Sequence, residues 1–132
     1  MTQHVYAEGQ IWSYRTRPNE DGSRVIIRAI EALPGLGEVF HVSITDLKLR
    51  NHRVEGGLQR SLPHIPVDRA ALDASVLEID GIAAEDTEWR AGYDVWTQAF
   101  VNGDAGVFDL PVAEILGYVE TIVAAAGEQP EA

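Results

Sequence analysis

No cysteine occurs among the 132 residues, which excludes disulfides, thiolate metal sites and cysteine nucleophiles together. No apolar stretch approaches the ~18–20 residues that a helix needs to span a bilayer. The N-terminus lacks the charged start and apolar run of a signal peptide, so the expected location is the cytoplasm, with no membrane partner. A phosphate-binding loop is also missing: Gly35-Leu36-Gly37 is not followed by the third glycine and the helix that such a loop requires. Neither a G-x-S-x-G elbow nor a Ser-His-Asp constellation can be placed. None of His4, His41, His52 and His64 has another histidine two to four residues away, and no H-E-x-x-H pattern is present. The sequence therefore assigns no catalytic residue, metal ligand or cofactor, and it leans away from an enzyme.

Basic residues are scarce in the second half. Residues 1–60 carry eight Lys/Arg against seven Asp/Glu, whereas residues 61–132 carry two against fourteen. With a net charge of −11 and a pI near 4.6, non-specific attraction to nucleic acid or anionic lipid is disfavoured. Steering of a basic protein partner is favoured instead, although solubility alone also accounts for an acidic composition.

What is present reads as strands followed by helices. Residues 9–15 alternate, with Ile11, Ser13 and Arg15 on one side and Trp12 and Tyr14 on the other. The turn chemistry of Pro18, Asn19, Asp21 and Gly22 joins this strand to a β-branched run over residues 24–33. Pro34-Gly35-Leu36-Gly37 then connects to a strand over 38–47, in which Phe40, Val42 and Ile44 share a face opposite His41. Over 58–67, Pro63 and Pro66 reduce any strand to a short edge. Asp68 is the expected N-cap of a helix running to about residue 80, with Val67 and Leu72 as its hydrophobic staple and Leu72, Val76 and Ile79 as its buried stripe. A second helix is expected over about 85–101, opened by Glu85, Asp86 and Glu88, closed by Asn102-Gly103, and striped by Trp89, Tyr93, Trp96 and Phe100. A short strand at 105–108 precedes a last helix, started by Pro111 and patterned by Val112, Ile115, Leu116, Val119, Ile122, Val123 and Ala126. The whole chain, 1–132, reads as a single α+β domain with ends fraying at about 1–6 and 127–132. Its architecture is a bent antiparallel sheet of about four or five strands, an SH3-like barrel being one form of it, packed against two or three C-terminal helices.

Each candidate site has a plainer reading beside it. The aromatic stripe of the second helix could wall a ligand pocket, but its spacing is what packing on a sheet requires. His64, constrained between two prolines, is the preferred functional histidine; an edge role is the alternative. Arg15 and Arg17, with Arg24 and Arg28 across the hairpin, could hold an anion, yet Glu20, Asp21 and Glu31 lie close enough to neutralise them. The basic segment 48–53 reads as a solvated turn.

Gly9-Gln10-Ile11-Trp12-Ser13-Tyr14-Arg15-Thr16-Arg17-Pro18 resembles the opening of a group of small bacterial proteins that share a Gly-x-x-Trp-x-Tyr-x-x-Arg-Pro strand and turn. His64-Ile65-Pro66-Val67 and Gly106-Val107-Phe108-Asp109-Leu110-Pro111 resemble later elements of the same group. That group has no assigned activity, so the resemblance implies none. More distantly, the Gly-x-Ile-Trp strand, polar turn and hairpin are similar to the SH3-like barrel of the MazF and PemK ribonuclease toxins. The chain departs from those toxins in its acidic charge and added helical half, so that similarity implies a barrel-like sheet and no nuclease.

Two functions follow as expectations. One is a protein-interaction module, in the manner of an immunity- or antitoxin-like inhibitor, that meets a basic partner through an acidic helical surface including Glu85, Asp86 and Glu88. The other is a small enzyme or ligand-binding protein with a pocket between sheet and helices, using Arg15, Arg17, His64, Trp12 and Tyr14. The oligomeric state and the identity of any partner are not encoded legibly.

Overall fold

A computed structural model describes residues 4–128, with side chains as far as residue 125. Alternating apolar residues drive the first half into strands β1 (Gln10–Tyr14), β2 (Arg24–Leu33) and β3 (Gly37–Thr45). Two short strands, β4 (Leu49–Arg50) and β5 (Leu58–Gln59), pair separately across a loop. Strand β6 (Leu62–Val67) leads into α1 (Arg69–Ser75), β7 (Val76–Ile82), α2 (Trp89–Val101) and α3 (Val112–Glu128). Among the described residues the fold is α+β: a five-stranded antiparallel sheet of order β6-β3-β2-β1-β7 with three α-helices. Its edges are β6 and β7, so the hydrogen-bonded order is open rather than cyclic. Among the described residues, no helix is long and apolar enough to cross a membrane.

The main core lies on one face of the sheet. Trp12, Tyr14, Val25, Ile27, Phe40, Val42 and Ile44 meet Ala71 and Leu72 of α1 and Val112, Ile115 and Leu116 of α3. Helix α2 covers the opposite face, with Trp89 and Trp96 buried against it. Asp68 caps α1 as the sequence predicts, its carboxylate accepting from the Ala71 N–H at 2.8 Å. Both prolines of β6 sit on an edge strand, where a missing donor costs least, and Pro66 uses its carbonyl to accept from the Phe108 N–H at 3.0 Å.

Four expectations need correction. The first helix ends at Ser75, and Val76–Ile82 is the edge strand β7; Val76 is buried as expected, but Ile79 is 51% exposed. The second helix begins at Trp89, because Asp86 turns back to accept from the Glu88 N–H at 2.9 Å and so holds the preceding residues as a loop. The strand expected at 105–108 shrinks to a single parallel bridge between Phe108 and Val67. Fraying of the N-terminal end stops short of Tyr6, which is buried in the core and donates its hydroxyl to Asp73. Within α3, Val112, Ile115 and Leu116 are buried and Ile122 is exposed, while Ala126 and the tail from Gly127 lie outside the described side chains.

Candidate functional site

A β-bulge builds the most polar part of the buried sheet face. Ile27 pairs with Val42, but the next paired residue of β2 is Ala29, opposite His41, so Arg28 is the extra residue. One extra residue inverts the alternation beyond it. Glu31 is thereby carried onto the face of His41 instead of into the core beside Ile27, and its carboxylate lies 2.9 Å from His41 Nε2. On the other side, β6 places His64 Nε2 2.8 Å from His41 Nδ1.

The three groups form a directed chain. An ionised carboxylate only accepts, so His41 carries its proton on Nε2 and its Nδ1 accepts from the Nε2–H of His64. His64 Nδ1 is then left without a proton. Burial pushes the His41 imidazole below its ordinary value, with Glu31 pulling the other way. Burial, and then the neighbouring His41, brings His64 down to about 4. Both rings are neutral near pH 7, and α2 closes over them: Tyr93 and Trp96 meet His41 edge-on, at centroid distances of 4.7 and 5.0 Å. Burial and the Glu31 carboxylate raise the Tyr93 phenol above its usual value. This array pins a helix to a sheet, and neither imidazole lines the cleft described next.

That cleft, of about 400 Å³, lies between the start of α2, the segment after β7 and strand β2. Arg28, Trp89 and Arg90 line it together with Glu8, Glu85 and Asp86. Arg28 is engaged on both sides, donating from Nε to Ser43 Oγ at 2.9 Å and facing Asp86 at 3.8 Å. Ser43 in turn donates to the Pro63 carbonyl at 2.7 Å, so its hydroxyl is occupied.

The residues expected to share a pocket are dispersed. Trp12 and Tyr14 are core residues; the Trp12 indole donates to Gln10, and the Tyr14 hydroxyl shares a hydrogen bond with Ser23. Arg15 is exposed immediately after that strand. Arg17 is consumed by ion pairs with Glu20 and Glu120, at 2.8 and 2.7 Å. His64 lies on the other face of the sheet, with His41. Three of the four arginines of the anion patch are neutralised, Arg17 by Glu20 as expected from the sequence, and Arg24 and Arg28 by acids distant in sequence, Asp80 at 2.7 Å and Asp86 at 3.8 Å.

The acidic surface is real but is not helical. Glu78 and Asp80 stand on β7, and Glu85, Asp86 and Glu88 are exposed in the segment before α2. Residues 71–88 contain six Asp/Glu and no Lys or Arg. Three large apolar side chains lie on the same edge: Leu77, Ile79 and Ile82, exposed by 46%, 51% and 72%. The alternation of Leu77 and Ile79 with Glu78 and Asp80 is the signal that could have marked this strand in the sequence.

No family model matches the chain, and no curated protein or solved structure matches it either.

Proposed function

We propose that the protein is an interaction module that engages a basic partner through the acidic edge formed by β7 and the segment leading into α2, as an immunity- or antitoxin-like inhibitor does. The observation that carries this reading is the run 71–88, six acids with no basic residue of its own, of which Asp80 and Asp86 face Arg24 and Arg28 while Glu78, Glu85 and Glu88 stand exposed beside three uncovered apolar side chains. Acids of one sign speed encounter with an oppositely charged partner, and apolar side chains at the centre of the same surface supply burial once it docks. The test compares retention of basic proteins from native lysate by the wild-type chain and by the triple variant Glu85→Gln, Asp86→Asn, Glu88→Gln. A partner held at low salt, released as salt rises and lost from the variant is the expected result. Unchanged retention by the variant overturns the surface.

A second reading rests on the cleft beside Trp89, whose two arginines and three carboxylates could orient a small polar ligand in a small enzyme or binding protein. Saturable thermal stabilisation by a small molecule, abolished by filling the cleft with Thr87→Trp, would favour it. Absence of such a ligand from a broad metabolite screen would count against it.

A further inference from the structure

The two edges of the sheet differ in what they offer a neighbour. Strand β6 carries Pro63 and Pro66, which have no N–H to donate, and Phe108 bridges opposite Val67, donating to the Pro66 carbonyl and accepting from the Asp68 N–H. Strand β7 contains no proline. It pairs with β1 on one side, and its other side has no backbone partner among the described residues. An open row of main-chain donors and acceptors is a template for another strand. Proteins that read extended peptides in this way take affinity from the main chain and specificity from alternate side chains.

Resting on the interaction reading above, we infer that β7 seats an extended strand of the partner in which Lys or Arg alternates with β-branched apolar residues. The partner's cations lie beside Glu78, the Asp80 carboxylate being held by Arg24, and its apolar side chains cover Leu77, Ile79 and Ile82. Charge selects this occupant over a second copy of the chain. A two-fold antiparallel pairing of β7 with itself centred on Glu78 would set the Glu78 carboxylates of the two copies directly against each other. Like charges directly opposite one another destabilise a pair of strands. The register between β1 and β7 is interrupted between Ile11 and Trp12 and again between Trp12 and Tyr14, which bends the edge and restricts it to a short added strand.

The experiment titrates the full chain with three synthetic peptides of equal length, alternating Lys–Val, Lys–Gly and Glu–Val, and follows binding together with amide hydrogen exchange. The Lys–Val peptide is expected to bind in a salt-sensitive manner and to slow exchange within 76–82 by about tenfold or more at saturation. Glu78→Lys, an exposed position, is expected to weaken that binding by about tenfold. Glu78→Gln, which keeps the side-chain length, is expected to weaken it less. Equal binding of Lys–Gly with no slowing over 76–82 overturns strand addition and leaves the charge-driven interaction standing. Binding of neither basic peptide overturns both. Concentration-dependent dimerisation of the chain alone, with protection of the same amides, overturns the choice of occupant.

Discussion

Gly92 of α2 lies against the imidazole of His64 so closely that a Cβ there would stand 2.9 Å from His64 Cβ and 3.4 Å from His64 Nδ1. The obstacle is the root of the histidine side chain, so relief requires movement of the helix. Gly92→Ala gains about 1 kcal/mol of helix propensity. Overpacking is expected to outweigh it, for a net loss of about 1–2 kcal/mol in urea unfolding. Combining it with His64→Gly, which removes the offending Cβ, should remove most of that penalty, whereas His64→Ala, which keeps it, should not; if Gly92→Ala alone is stabilising, the close packing of α2 on β6 is wrong.

The histidine pair gives stability a pH dependence with a definite sign. In the unfolded chain His64 titrates near 6.5, and in the folded chain near 4. Between those values the unfolded state binds a proton that the folded state refuses, so the contribution is complete above 6.5 and disappears as pH falls toward 4. For His64 the full difference corresponds to ~3 kcal/mol, which solvent screening of the half-buried ring reduces to ~2 kcal/mol, and the depressed His41 adds in the same direction. Urea midpoints measured across this window should fall steadily for the wild type and much less for His64→Asn. Equal slopes would show that the rings are not held neutral.

How much of this was legible in the sequence varies by element. Strands β1, β2 and β3 announced themselves through alternation and turn chemistry, and Asp68 announced α1. Strand β7 was misread because Leu72, Val76 and Ile79 satisfy a helical period, while the bulged register that places both Val76 and Ile79 beside β1 is invisible without β1 itself. His41 and His64 lie far apart in sequence and meet only through the β3–β6 register, in which Val42 opposes Ile65. Glu31 joins them because of the bulge at Arg28, and nothing local in the sequence signals that extra residue.

The turn after β1 is held by a nearly buried ion pair. Glu20, whose side chain is 1% exposed, accepts from Arg17 Nε and Nη2, both at 2.8 Å, and from the Lys48 N–H at 2.7 Å. Arg17 also donates to Glu120 of α3. Glu20→Ala leaves the guanidinium half-paired and the Lys48 N–H unsatisfied, and is expected to cost ~2–3 kcal/mol. Glu120→Ala, which spares the Glu20 pair, should cost less. Thermal or urea denaturation checks both, and the reverse ranking would contradict the role given to Glu20.

Ser75 links the end of α1 to the start of α3. Fully buried, it donates to the Ala71 carbonyl at 2.6 Å and accepts from the otherwise orphaned Val112 N–H at 2.9 Å. Ser75→Ala should cost ~1–2 kcal/mol. Faster hydrogen exchange should be confined to the first turn of α3. A neutral effect on both would mean that the Val112 N–H finds another acceptor.

The unlike edges of the sheet also fix a stoichiometry. With β6 proline-bearing and bridged by Phe108, a strand laid on β7 finds no equivalent seat at the other edge of the same sheet. Strand addition at β7, as inferred above, would therefore be monovalent for this sheet: it would end in a one-to-one complex and not propagate through the sheet from copy to copy.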